Sequence, residues 1–356
     1  METEFARLVA EGLGGGRFRL LDVGCSGGID PRWRAFGSKL KALAIDASRP
    51  ECKRLADHEI NPDVEYVPSF VVGKAGDTVD LDQGQASPLI FKVRDRLSFM
   101  RTREIREARV AQAALEEKLR HNAWEMTELA DPAKPLVVPE LLANRGWSDL
   151  DYLKIDIDGA DFAVLKSFDS KLGTLGVLGV QLEVNFVGTD AESDHTFHNT
   201  DRFMRRQGFE LFRLDVKTYS SRALPARYIW PVPAETVSGR PFQGDAFYAR
   251  DIDAALSAGK LAKLAAIFSL WGVPDLAAEL LQKRSEVAEI IEIGRGLDLL
   301  AAQAQPDRAR KLDYASYMKS FEADAGSFYR NEGDISLFER LGAAWRAFMA
   351  PRDKVR

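Results

Sequence analysis

Cysteine and histidine are scarce in this chain of 356 residues, with two of the first and four of the second. Cys25 and Cys52 are too few and too oddly placed for a disulfide framework or a zinc site. No run approaches the roughly 18–20 apolar residues that a membrane-spanning helix needs. The opening METEFARLVAEGL has no basic stretch leading into an apolar core, so it does not read as a secretion signal. A cytoplasmic, reduced protein is the expectation. GxSxG, the P-loop and HExxH are missing as well, which removes the usual support for hydrolase and NTPase chemistry. There is no excess of positive charge either: the formal net charge is −5. That argues against a nucleic-acid-binding surface over the whole molecule and leaves room only for a local basic patch.

With 46% hydrophobic and 29% charged residues the composition is that of a globular protein able to bury a large core, in one large domain or two ordinary ones. The stretch around which the chain is organised is FRLLDVGCSGGIDPRWRAFGSKLKALAID, Phe18–Asp46. It predicts an apolar strand, a glycine turn, a helix and a second strand ending in Asp46. Before it, Phe5, Leu8, Val9 and Leu13 recur at helical spacing, and three glycines stop that helix. After it come a short helix over Pro50–Asp57, a strand over Val64–Val67 and a brief alternation at Thr78–Leu81. Residues 92–135 then interrupt the pattern: from Arg101 to Leu129 there is no Gly or Pro, so a helical insertion with a charged face is expected. Such insertions serve as a cap, a lid or an oligomer contact.

Alternation resumes with a helix at Glu140–Asn144, strands at Tyr152–Asp156 and Val177–Val184, and helices at Asp161–Phe168 and Thr200–Gln207. Further strands follow at Glu210–Asp215, Arg227–Trp230 and Ala246–Ala249. The runs LDYLKIDI and VLGVQLEV are almost continuously apolar, as in strands covered on both faces. An α/β fold with a mainly parallel sheet follows, with helices on both faces and right-handed crossovers. After residue 250 the Ala- and Leu-rich sequence predicts an all-α C-terminal appendage, so the boundary is set at residues 1–250 and 251–356.

The glycine turn suggests a nucleoside-containing cofactor. Glycines let the backbone approach a ligand, and an acid about 20 residues on suits a ribose diol. The order Gly24-Cys25-Ser26-Gly27-Gly28 is not the G-x-G-x-x-G of a dinucleotide site, and Asp22 is unusual beside a pyrophosphate. What fits is Asp-x-Gly-x-x-x-Gly over Asp22, Gly24 and Gly28, the acid suiting a cationic amino-acid end such as that of S-adenosylmethionine. Cofactor candidates are therefore Asp22, Gly24, Cys25, Ser26, Gly28, Asp46 and Ala47, with Ser69 near the adenine. The bland alternative is a strand-turn-helix that binds nothing, with Cys25 simply a small residue that fits. Asp156, Asp158 and Asp161 crowd the end of one buried strand, and Glu183 and Asn185 end the next. Like charges so close need a cation, a proton or N–H donors. Asp156, Glu183 and Asn185 can hold Mg²⁺ as oxygen ligands, or else bond substrate and turn backbone. Asp161 reads as a first-turn helix acid. His195 and His198 lie in the following loop, each a candidate general base and each explicable as a substrate contact or cap. Lys217, Tyr219, Arg222 and Arg227 line an acceptor pocket or are ordinary loop packing.

These residues resemble the FkbM-type S-adenosylmethionine-dependent methyltransferases. LLDVGCSGG resembles the family's first motif, and DYLKIDIDGADFAVLKSF its most distinctive one, L-K-I-D-V-E-G followed by an acid and L-K. QLEVNF, TFHNTDRFMRRQGFELF and YSSRALP are also similar, so the resemblance spans Phe18 to Asp251. Asp158 and Asp161 stand where the pattern has glutamates, which slightly shortens their reach. The insertion and the C-terminal helices fall outside it. The resemblance implies a Rossmann-like class I methyltransferase fold with a seven-stranded sheet. It also implies methyl transfer to a hydroxyl of a sugar, glycan or polyketide-like product, with Asp156 and Asp158 shaping the reaction edge beside His195 or His198. A small-molecule or glycan acceptor, no nucleic acid, no membrane span and a homo-oligomer through helical segments complete the expectation. Two rivals stay open: a nicotinamide-dependent oxidoreductase on a similar sheet, and a non-catalytic interaction module.

Overall fold

The computed structural model describes residues 2–79, 129–157, 160–219 and 240–304. Asp158, Leu81, Arg222, Arg227, the strand expected at Arg227–Trp230, residues 92–128 of the helical insertion and the helices expected beyond 304 lie outside them.

Helix α1 (Glu4–Gly12) starts at Thr3, whose hydroxyl accepts from the Ala6 N–H, and buries Phe5, Ala6, Leu8, Val9 and Ala10. Strands β1 (Phe18–Val23), β2 (Leu40–Asp46) and β3 (Val64–Pro68) follow, with α2 (Arg49–His58) between the last two. Ser48 caps α2 by accepting from the Glu51 N–H. Between β1 and β2 the expected helix is a 3₁₀ segment, Pro31–Lys39, broken at Gly37 with φ 50° and ψ −127°. Pro31 at its start and Gly37 inside it leave too few helix formers for an α-helix to propagate. Two-residue strands β4 (Val71–Val72) and β5 (Leu136–Val137) pair in parallel as a separate small sheet. Then come α3 (Val138–Asn144), β6 (Tyr152–Ile155), α4 (Asp161–Phe168), α5 (Lys171–Thr174), β7 (Gly179–Asn185), α6 (Phe197–Arg206), β8 (Glu210–Tyr219) and β9 (Arg240–Ala249). Helices α7 (Ala258–Leu270), α8 (Pro274–Lys283) and α9 (Ile293–Ala304) end the described chain. Thr78 and Val79 belong to no strand.

The main sheet has seven strands in the order β3-β2-β1-β6-β7-β9-β8. β3, β2, β1, β6 and β7 pair in parallel, and β9 runs antiparallel between β7 and β8. The sequence order reverses at β1, which lies between β2 and β6. Open parallel sheets bind ligands at the C-terminal ends of the strands beside such a reversal. Side chains alternate between two cores. One face carries Phe18, Leu20, Ala42, Tyr152 and Phe247 against α1, the 3₁₀ segment and α7. The other carries Leu21, Val23, Leu43, Leu153, Ile155, Val180 and Leu182 against α3 and α4. Phe18 stacks on Phe36 at 3.9 Å between ring centroids, and Phe247 on Trp271 at 4.4 Å.

Contacts group Met1–Gln303 into one compact unit and Ala304–Arg356 into a second. α7 and α8 pack with the sheet inside the first of these units. The reason is burial and charge. Every residue from Leu261 to Leu270 in α7 is buried, and each fully buried large apolar side chain contributes about 1.5–3 kcal/mol. Its Lys260 and Lys263 reach the fully buried Asp151 at 2.7 and 2.9 Å, and the Arg19 N–H donates to the same carboxylate. No helix among the described residues is long and apolar enough to cross a membrane.

Candidate functional site

The glycine turn lies over the ends of β1 and β2. The Gly24 and Cys25 N–H groups both donate to the Ile45 carbonyl, at 2.8 and 3.1 Å, pulling the turn across the sheet. Gly24 has φ +87°, and a Cβ there would come within 1.8 Å of the Asp156 carbonyl oxygen. Only glycine fits where the turn crosses from β1 to the end of β6. Gly27 donates to Glu51 at 3.0 Å and Gly28 to the Cys25 carbonyl at 2.8 Å. These N–H groups are therefore spent inside the protein, not turned toward a ligand. The 3₁₀ segment after them offers no α-helix N-terminus. A pyrophosphate finds no cradle here, which counts against a dinucleotide.

Carboxylates stand at the same edge. Asp22 on β1 is buried, and burial pushes its carboxyl up to about 6 against the pull of Lys154. Asp46 ends β2 half-buried, accepts from the Ser48 N–H at 2.8 Å, and is also held above the ordinary carboxylate range by burial. Ala47 follows it, and its carbonyl accepts from the Ala130 N–H at 2.8 Å. Ser69 is buried, with its N–H on the Asp46 carbonyl and its hydroxyl on that of Phe70, so it too borders the end of β2. Ser26 is exposed at the crest of the turn. The Cys25 thiol is buried and hydrogen-bonded to that of Cys52, which raises its pKa. It is a small packing residue, not a poised thiolate.

Lys154, absent from the sequence-based set, joins these parts. In the parallel register it stands directly opposite Asp22. Its Nζ lies 3.1 Å from Asp22 Oδ1, 2.8 Å from the Gly24 carbonyl oxygen and 3.6 Å from Asp156 Oδ2. The signal was a lone lysine inside the mostly apolar run LDYLKIDI.

At the end of β7, His195 is buried. Its Nε2 donates to the Glu183 carbonyl at 2.7 Å, leaving Nδ1 to accept from Asn185 Nδ2 at 3.4 Å and to face Asp161 Oδ2 at 3.9 Å. Asp161 also takes the Ile157 N–H at 3.0 Å, more than a first-turn acid does. The ring therefore ties β7 to the start of α4, and neither nitrogen is open to a substrate proton. His198 is exposed on the first turn of α6 and is not brought to this cluster. Asn199 fastens the preceding loop by donating to the Ala191 and Asp194 carbonyls. Lys217 on β8 lies 3.8 Å from Glu183 and 3.4 Å from Asp245, beside the expected acceptor region. Tyr219 ends β8.

Among the described residues no three His, Cys, Asp or Glu side chains cluster to hold an ion. Asp156 is paired with Lys154 and Glu183 with Lys217, so lysines supply the positive charge expected of Mg²⁺.

No curated protein matches the chain significantly. Among solved structures it is similar to a precorrin 8w decarboxylase from Methanobacterium thermoautotrophicum, at 13% identity over 69% of this chain and 89% of that one, TM-score 0.28. It is similar also to a SAM-dependent methyltransferase from Agrobacterium tumefaciens, at 9% identity over 69% and 60%, TM-score 0.31. A third is the 23S rRNA methyltransferase ErmE, at 10% identity over 86% and 100%, TM-score 0.28. At such identities and TM-scores nothing about substrate passes from them to this chain. The sequence itself is more specific: residues 41–211 match the methyltransferase FkbM domain, which supports the FkbM-type methyltransferase family for this part of the chain.

Proposed function

We propose that this protein transfers the methyl group of S-adenosylmethionine to a hydroxyl of a sugar, glycan or polyketide-like product, in the cytoplasm. One observation carries the cofactor end of this reading. At the reversal of strand order, two half-buried or buried carboxylates, Asp22 and Asp46, flank a glycine turn whose N–H groups are already spent. Such a site suits a cation and a diol and offers nothing to a pyrophosphate.

The residues fit that cofactor. Asp22, kept from full ionisation by burial, gains from a cationic partner. Asp46 is placed for ribose hydroxyls, and Gly24, Gly28, Cys25, Ser26 and Ala47 form the turn beside it. Ser69 closes the edge toward the adenine. When bound, the cofactor supplies a methyl carbon activated by its sulfonium. The chain then mainly aligns the acceptor oxygen and accepts a proton. Asp156, half-exposed at the end of β6, and Asp158, two residues on, are the carboxylates we assign to shaping this edge. His195 holds the ends of β7 and α4 in place rather than acting as the base. Glu183, Asp245 and Lys217 make a polar rim suited to a hydroxylated acceptor. A net charge of −5 favours a small molecule or glycan over nucleic acid.

A thermal shift assay tests the cofactor. S-adenosylhomocysteine at about 100 times its dissociation constant should add about 2.7 kcal/mol of stability. NAD should add none. Stabilisation by NAD alone would move the protein to the oxidoreductases, and no response to either would favour an interaction module.

A further inference from the structure

The ammonium of Lys154 occupies the oxygens that a cationic amino-acid end would use. It is bonded to Asp22 Oδ1 at 3.1 Å and to the Gly24 carbonyl at 2.8 Å, and its side chain is only 17% exposed. A third acceptor waits beside it: Asp156 Oδ2 is 3.6 Å away on a side chain 48% exposed. Asp156 does not depend on Lys154 for its place, because its backbone N–H is fixed on the Val23 carbonyl at 2.9 Å. A second ammonium cannot share Asp22 Oδ1 and the Gly24 carbonyl with the first, since like charges on the same two oxygens repel. Buried Asp22 in turn cannot be left without a cation at little cost. At those two oxygens one ammonium therefore replaces another, and the displaced one has a carboxylate within a side-chain pivot.

We propose that Lys154 is a cofactor-positioning residue: it holds Asp22 and the Gly24 carbonyl in binding geometry, yields both to the α-ammonium of S-adenosylmethionine, and moves to Asp156. This rests on the cofactor assignment above. The charged groups facing Lys154 are Asp22 on β1, Asp156 on its own strand end and, farther off, Asp46, while Asp30 acts on Asp22. Asp22 and Asp156 bound the path, so the exchange stays within one carboxylate pair.

Calorimetric titration of the full chain tests it with two ligands. S-adenosylhomocysteine carries the amino-acid end and 5′-methylthioadenosine lacks it. Removing the internal competitor in Lys154→Met should tighten S-adenosylhomocysteine by about fivefold or more, within the range of ordinary coupling between sites, and leave methylthioadenosine nearly unchanged. Asp156→Asn, at a half-exposed position that folding tolerates, should weaken S-adenosylhomocysteine alone, because the displaced ammonium loses its destination. Two results would overturn the proposal. If Lys154→Met selectively weakens S-adenosylhomocysteine, the ammonium instead receives the ligand's carboxylate. If both ligands shift equally in both variants, Lys154 is structural only. Failure of the unaltered protein to bind either ligand would overturn the cofactor assignment itself, and the proposal with it.

Discussion

Asp161 Oδ2 lies 3.9 Å from His195 Nδ1, and across the same ring Nε2 donates to the Glu183 carbonyl at 2.7 Å. A histidine held on both sides, and buried, joins two elements more effectively than it shuttles protons. His195→Ala should therefore cost about 1–3 kcal/mol of stability by leaving buried partners unsatisfied. His198→Ala, on an exposed first turn, should stay within about 0.5 kcal/mol. Urea denaturation measures both. An unchanged midpoint for His195→Ala, with loss of the pH dependence of turnover, would restore it as the base.

Gly24→Ala asks a Cβ to sit 1.8 Å from the Asp156 carbonyl oxygen, at a backbone φ of +87°. The turn must move off the end of β6, so binding of S-adenosylhomocysteine should fall at least tenfold, about 1.4 kcal/mol. Calorimetry reads this directly. Retained affinity would mean that the ligand does not use the turn.

Asp22 makes cofactor affinity depend on pH. Its folded-state carboxyl is raised to about 6 from 3.8, so between those values the folded chain holds more protons than the unfolded one. Stability then falls as pH rises through that window, because the buried group must ionise, and levels off above it. A cationic ligand needs the ionised form, so affinity for S-adenosylhomocysteine should rise through about pH 6 and then flatten. Asp22→Asn should abolish both slopes. A pH-independent affinity in the unaltered protein would contradict the role given to Asp22.

Asp151 binds α7 to the sheet by accepting from Lys260, Lys263 and the Arg19 N–H. Asp151→Ala strands the buried ammonium of Lys263, while Lys260 keeps Asp149 and the Leu150 and Gly176 carbonyls, a loss of about 3–5 kcal/mol. The denaturation midpoint should drop accordingly. Cofactor affinity should persist at temperatures where the variant is folded, since Asp151 lies at the opposite ends of the strands, just ahead of β6.

Chelation should leave turnover unchanged. Lys154 and Lys217 already stand 3.6 and 3.8 Å from the carboxylates of Asp156 and Glu183. Methyl transfer after dialysis against EDTA, with and without added Mg²⁺, checks this. A rate restored only by Mg²⁺ would reinstate Asp156, Glu183 and Asn185 as ligands.

The sequence by itself determined the elements and the edge where ligands bind. Apolar runs marked the covered strands, and Asp22, Gly24, Gly28 and Asp46 marked the turn. These are local signals, written in the spacing of neighbouring residues. It misjudged the 3₁₀ segment, where Pro31 and Gly37 outweigh apolar spacing, and it held no sign that α7 is buried against the sheet. Only the tertiary structure decided what each polar group touches. Lys154 meets Asp22 because β6 pairs with β1 in one particular register. The turn N–H groups are spent because β2 ends beneath them, and both His195 nitrogens are taken because β7 and α4 end side by side. Hydrogen-bond and ion-pair partners come from elements far apart in the chain, so strand order and register fix them, and local residue preference holds no record of either.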